Sequence, residues 1–133
     1  MEYLHKDLTD KIIKCFYEVY NELGYGFLEK VYENAMIIEL QANRLICEKQ
    51  KPIKVFYKEI GIGDYFADII VNDKIIIELK AAEVLIQEHE LQLINYLKAT
   101  DKEIGLLLNF GKKPEIRRKI FTNDKKTICV NLV

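Results

Sequence analysis

Asp68, Glu78 and Lys80 stand in two otherwise apolar segments, DYFADIIV at 64–71 and IIIELK at 75–80. Burying a charged group is costly without a partner, so charged residues in would-be core strands call for a chemical reason. Glu78 and Lys80 are two apart and share a strand face. The side taken by Asp68 depends on the turn between the segments. A two-residue loop, Asn72-Asp73, sets Asp68 opposite Ile77, with Glu78 on the other face. A three-residue loop or a bulge sets Asp68 opposite Glu78, Ile70 opposite Ile76 and Phe66 opposite Lys80. The second face then holds Ala67, Ile69 and Val71 against Leu79, Ile77 and Ile75, all apolar. A one-residue slip moves a whole strand face, so this pattern selects the second register. Adjacent carboxylates repel unless a cation or a proton neutralises them. Hard oxygen donors in a D-x9-E-x-K arrangement suit Mg2+ or Mn2+ better than zinc. The plainer alternative is a salt-bridged sheet face on which Lys80 neutralises Glu78.

The elements that must carry these residues follow from periodicity. Leu8, Ile12, Phe16, Val19 and Leu23 recur at helical spacing and predict a helix over 5–23, ended by Gly24-Tyr25-Gly26. A second helix is expected over 27–44, with Leu28, Val31, Ala35, Ile38 and Ala42 as its apolar stripe. Strands are expected at 49–58, where Pro52 points to an edge or a strand start, and at 64–71 and 75–80. A helix at 84–99 and a strand at 104–110 follow, the latter apolar enough to be covered on both faces. Segments 115–121 and 127–132 are lesser strand candidates. The order α-α-β-β-β-α-β, with one or two strands after it, predicts an α/β fold: a mixed sheet flanked by helices.

Composition narrows the function. The chain has 133 residues, half of them hydrophobic, which excludes a disordered chain and suits one domain. Lys+Arg number 20 and Asp+Glu 21, a net charge of -1, so broad non-specific grip on nucleic acid is excluded. Any such role must rest on a local site. Cys15, Cys47 and Cys129 form no CxxC or Cys/His cluster, which argues against zinc and a disulfide framework and fits a reducing cytoplasm. No signal peptide and no membrane-spanning apolar run is expected, and no phosphate-binding glycine loop or GxSxG is present.

Asp68…Glu78-Leu79-Lys80 resembles the signature of the PD-(D/E)XK nuclease superfamily, with Ala67 where the signature writes proline. Upstream, Gly26 to Tyr32 reads GxxExxY, and the chain resembles the small prokaryotic family of that name. The likeness continues through Ala35, Glu39-Leu40, His89-Glu90-Leu91-Gln92, Asn95-Tyr96-Leu97 and Gly105 to Gly111. It implies a restriction-endonuclease-like core in a single domain over 1–133, with residues 1–24 a helix added to that core. It also implies Asp68, Glu78 and the Leu79 carbonyl as metal ligands, and Lys80 beside the attacking water. Glu29 resembles the acidic residue that the first core helix adds to the cluster. Gln92 and Tyr96 resemble a QxxxY stripe in which the glutamine lines the active cleft, able to bond the attacking water, the scissile phosphate or Lys80.

Three further residues keep two readings each. Tyr32, three residues after Glu29, orients that carboxylate or caps the core. His89 is a phosphate contact or proton donor, or a half-exposed helix histidine. Glu39, inside the apolar stripe, needs a partner: an ion pair or backbone anchor, or a metal. Basic residues cluster at Lys49, Lys51 and Lys54, at Lys112, Lys113, Arg117, Arg118 and Lys119, and at Lys125 and Lys126. They hold a phosphate backbone if they flank the cleft, and are otherwise solvated surface. The expected function is a Mg2+- or Mn2+-dependent nuclease acting on DNA, as endo- or exonuclease. The alternatives are a catalytically idle nuclease-fold module that binds nucleic acid or a protein partner, and a homodimerising interaction domain.

Overall fold

The computed structural model describes residues 4–127. Helix α1, Lys6–Leu23, buries Ile12, Cys15, Phe16 and Val19 at the expected spacing. Gly24 ends it with φ +67, its N–H donating to the Tyr20 carbonyl at 2.8 Å. Helix α2 spans Glu29–Ala42. Strands β1 (Cys47–Tyr57), β2 (Ile60–Val71) and β3 (Ile75–Lys80) follow, then α3 (Gln87–Lys98), β4 (Ile104–Phe110) and β5 (Pro114–Ile120). A short 3-10 turn covers Asn123–Lys125. The second late strand candidate, 127–132, lies outside the described residues apart from Thr127, as does Cys129.

The five strands form one mixed sheet in the order β1-β2-β3-β4-β5. Only the β3–β4 pair is parallel, and α3 makes the crossover that a parallel pair requires. One face packs on α1 and α2 through Phe16, Tyr32, Met36, Ile75, Ile77 and Leu106. The other packs on α3 through Ile70, Ile76, Leu93, Leu97 and Leu107. With both faces covered, β4 is buried at all seven positions, as its unbroken apolar run predicts. Pro52 sits on β1, the edge strand, where a missing ladder donor is tolerated.

The β2–β3 turn has three residues, Asn72 to Lys74. Asn72 and Asp73 take φ of 51° and 56°, a left-handed conformation that short polar side chains accept. The resulting register is Ile69↔Ile77, Ile70↔Ile76 and Val71↔Ile75, and the ladder stops there, before the expected Asp68–Glu78 and Phe66–Lys80 pairs. Two side chains secure the turn. The Asn72 carboxamide oxygen accepts the Ile46 N–H at 2.8 Å, and buried Lys102 donates to Asp73 at 2.8 Å.

The structure departs from the expected pattern in two places. On α2 the buried residues are Tyr32, Glu33, Met36 and Leu40, while Leu28 is 79% and Ile38 70% exposed. The helix is apolar on two sides, and the side meeting the sheet is roughly a third of a turn from Leu28, Val31, Ala35, Ile38 and Ala42. Ala67 also changes face, joining Ile53, Ile70 and Ile76 on the α3 side. The alternation of β2 breaks between Ala67 and Ile69 because the β2–β3 ladder stops there. Beyond that point the β1–β2 hairpin continues without β3, with Lys54 paired to Asp64 and Tyr57 to Ile60.

Gly105 sets how closely α3 can approach β4. A Cβ there would lie 2.6 Å from Leu93 Cδ1 and 2.9 Å from Leu93 Cγ, and Leu93 is fully buried. Gly105→Ala is expected to destabilise the protein by about 1–3 kcal/mol through overpacking. An unchanged urea midpoint would show that α3 is not held at this contact.

Candidate active site

The ladder between β2 and β3 ends where its first charged residues meet. The Asp68 N–H donates to Glu78 Oε1 at 3.1 Å, and the Leu79 N–H donates to Asp68 Oδ2 at 2.9 Å. Each acidic side chain thus takes an amide of the opposing strand that a carbonyl would otherwise take. This crossed pair keeps the carboxylates adjacent despite their repulsion. Glu78 is almost wholly buried, and burial, then the charge of Asp68, pushes its carboxyl well above the usual range. Asp68 is pushed up by burial and next by the charge of Glu33, against the Leu79 N–H that favours its ionised form.

Glu33 is the acidic residue that α2 brings here. It is buried, its Oε2 accepts the Gln50 side-chain amide at 3.1 Å, and the same amide lies 3.4 Å from Asp68 Oδ1. Gln50 reaches both from β1 with a backbone φ of 52°, where β1 pairs Lys49 with Ile69 and Lys51 with Ala67. Neither Glu33 nor Gln50 stands out in the sequence. The spacing Tyr32–Met36–Leu40 would have turned α2 to the correct face and brought Glu33 with it. Glu29 is exposed in the first turn of α2, one turn short of this cluster.

Tyr32 does not serve Glu29. Its hydroxyl donates to the Gly24 carbonyl at 2.7 Å and accepts the Phe27 N–H at 3.2 Å, and its ring stacks on Phe110. Together with Gly26, which needs φ +111, it locks the turn between α1 and α2. Glu39 is half-buried and accepts the Asn43 side-chain amide, an anchor within its own helix end.

Lys80 is half-buried, and its charge lowers the pKa of both Asp68 and Glu78. Among the described residues no carboxylate lies within ion-pair distance of it. A simple salt-bridged face is therefore not what β3 presents. On α3, Gln92 donates to the Tyr96 hydroxyl at 3.1 Å. Burial, and then the charges of Glu78 and Asp68, push that hydroxyl up to about 12. His89 accepts the Ile86 N–H at Nδ1 and caps α3, which leaves Nε2 as its donor.

The profile of the PD-(D/E)XK nuclease superfamily matches residues 6–119. The chain belongs to this superfamily. No curated protein and no solved structure matches it significantly. Membership accords with the two helices, the five-stranded mixed sheet and the restriction-endonuclease-like core. The superfamily typically uses Mg2+. Among the described residues no three His, Cys, Asp or Glu side chains are already grouped to hold a metal ion. The donor set nonetheless fits a hard divalent cation. Asp68 and Glu78 meet across the two strands, and Glu33 is linked to Asp68 through the Gln50 amide while Lys30 Nζ lies 3.6 Å from its Oε1. Burial raises the Asp68 and Glu78 carboxyls, which a bound cation would reverse.

A stability test follows for the metal-free protein. Folded Asp68 and Glu78 hold protons more tightly than they do unfolded, where carboxylates titrate near ~4. Their effect on stability is most favourable below that value and is lost as pH rises through the raised folded values. Asp73 and Glu90, held low by Lys102 and Lys119, act in the opposite sense, so the comparison must be with a variant. In EDTA at pH 7.5, Asp68→Asn is expected to raise Tm by a few degrees, the scale of ~1 kcal/mol in a domain of this size. The gain should shrink toward pH 4. A lower Tm at pH 7.5 would mean that the carboxylates do not oppose each other.

Proposed function

We propose that the chain is a divalent-cation-dependent nuclease that hydrolyses phosphodiester bonds of DNA. The observation that carries this reading is the crossed pair of Asp68 and Glu78 beside a lysine with no ion-pair partner among the described residues. Asp68, Glu78 and the Leu79 carbonyl would hold Mg2+ or Mn2+, with Glu33, rather than Glu29, as the acid from α2. When bound, the ion supplies polarisation of a phosphoryl oxygen and a lower pKa for the attacking water. Lys80 would donate a hydrogen bond to that water, whose oxygen bonds phosphorus as the ester P–O bond breaks, the water giving up a proton to solvent and the departing alkoxide taking one. The products are a phosphate monoester and an alcohol. Gln92, fixed by Tyr96, offers an amide to the phosphate, the water or Lys80, and His89 Nε2 offers a further donor to a phosphate. We also assign the chain to the GxxExxY family on Gly26, Glu29 and Tyr32, the residues that build the α1–α2 turn and open α2.

A second reading is favoured by one feature. Asp68 and Glu78 already have backbone amides as partners, which suits an idle site that binds nucleic acid or a protein partner without cutting. Titration calorimetry with Mg2+ and Mn2+ is expected to show binding by the wild type and none by Asp68→Ala. Lys80→Ala should leave metal binding intact and slow cleavage of linear or branched DNA by roughly 10²–10⁴-fold. Glu33→Gln should weaken metal binding while Glu29→Gln leaves it unchanged; the reverse result would return the helix acid to Glu29. DNA bound but left intact in both metals would select the idle module.

A further inference from the structure

A cavity of about 600 Å³ opens between α3 and the part of the β1–β2 hairpin that extends past β3. That lies within the roughly 300–1,000 Å³ of ordinary small-ligand sites. Its walls are apolar at Val55, Ile62 and Leu91 and aromatic at Tyr65 and Tyr96, whose ring centroids are 5.6 Å apart. Its polar heads are the amides of Gln92 and Asn95 and the imidazole of His89, with the charged Glu88 and Lys98 also lining it. Tyr96 is the shared wall: it lines the cavity, is buried, and packs in one cluster with Ala67, the chain neighbour of Asp68, and with Ile76 of β3. The cavity is therefore next to the candidate site. Tyr65 is 47% exposed, with a ring available for stacking.

The exposed Tyr65 ring, tilted 47° against buried Tyr96, together with the amide heads suits a planar heterocycle that has donors and acceptors on its edge. A base in closed duplex is stacked on both faces and cannot present itself so, whereas an unpaired base can. We propose that this cavity receives an unpaired nucleobase of the substrate strand, making the protein selective for single-stranded or frayed DNA over closed duplex. This rests on the nuclease-site reading, because the base must belong to the strand held at Asp68 and Glu78. Tyr65 stacks on the base, and Asn95 reads its edge.

The test is fluorescence anisotropy in EDTA with a labelled 15-nucleotide oligothymidylate and a blunt hairpin duplex of matched length. The wild type is expected to bind the single strand at least ~10-fold more tightly. Tyr65→Ala, at a half-exposed position, should lose ~10-fold of single-strand affinity, and Tyr65→Phe should keep it. Asn95→Trp, which fills the cavity from an exposed helix position, should lose single-strand affinity and leave duplex affinity unchanged. Equal affinity for the two probes, no binding of either, or wild-type binding by both Tyr65→Ala and Asn95→Trp would each overturn the cavity assignment. Cleavage assays of the wild type and Tyr65→Ala with Mg2+ separate the two readings. Preserved single-strand preference in a wild type that cuts nothing overturns hydrolysis alone. Equal cleavage of single and double strands by wild type and Tyr65→Ala overturns the base cavity alone.

Discussion

Two acidic side chains facing each other across adjacent strands should push those strands apart. Here each instead takes an amide of the opposing strand, Asp68 at Leu79 and Glu78 at Asp68. The carboxylates are thereby substituted into the sheet ladder at the point where it ends. Charge-assisted hydrogen bonds of this kind are stronger than the neutral bonds they replace. They offset part of the burial and repulsion that raise both pKa values. The strands stay together below this point because Ile69, Ile70, Val71, Ile75, Ile76 and Ile77 are completely buried. The site is thus a polar fork held closed by an apolar stem.

The stem works only in one register, and the turn enforces it. Asn72 ties the turn to the start of β1, and Lys102, itself buried, ties it to the loop after α3. Loss of either anchor at the turn would act on the carboxylates several residues away, since a one-residue slip would send Asp68 to the other face. The helices complete the fork from opposite sides. On the α2 side Gln50 bridges Glu33 and Asp68; on the α3 side Gln92 is held by the Tyr96 hydroxyl. Gly105 lets α3 sit close enough for that second arm.

This division explains what could be read from the sequence. The register was legible because Ala67, Ile69, Val71, Ile75, Ile77 and Leu79 make a strong period-two signal against three charged residues. The turn end of it held, with Ile69–Ile77 and Ile70–Ile76 paired as expected; the ladder stops before the expected Asp68–Glu78 and Phe66–Lys80 pairs, and Ala67 leaves its face there. The orientation of α2 was not legible in the same way. Leu28, Val31 and Ile38 compete with Tyr32, Met36 and Leu40, and only the sheet decides which side is buried. With the stripe drawn through Leu28, Val31 and Ile38, Glu33 falls away from the sheet, so its burial is not legible in the sequence. Gln50 was hidden for a different reason: a residue in an edge strand carries no periodic signal of a left-handed backbone.

The near-zero net charge also takes on a more specific meaning. Several basic residues that could have gripped a phosphate backbone are already engaged. Lys119 and Arg117 meet Glu90, Lys51 meets Glu48, and Lys126 donates to the carbonyls of Thr100 and Lys102. Counterion release from many phosphate contacts is therefore a weak source of affinity for this chain. Stacking and hydrogen bonding depend far less on salt, and the cavity beside Tyr96 supplies surfaces for both. A protein so built gains affinity from the shape of an accessible base more than from the charge of the strand. The acidic fork adds to this bias, because without a cation it repels the phosphate it must hold, so nucleic-acid affinity and cation binding should be linked and each should strengthen the other.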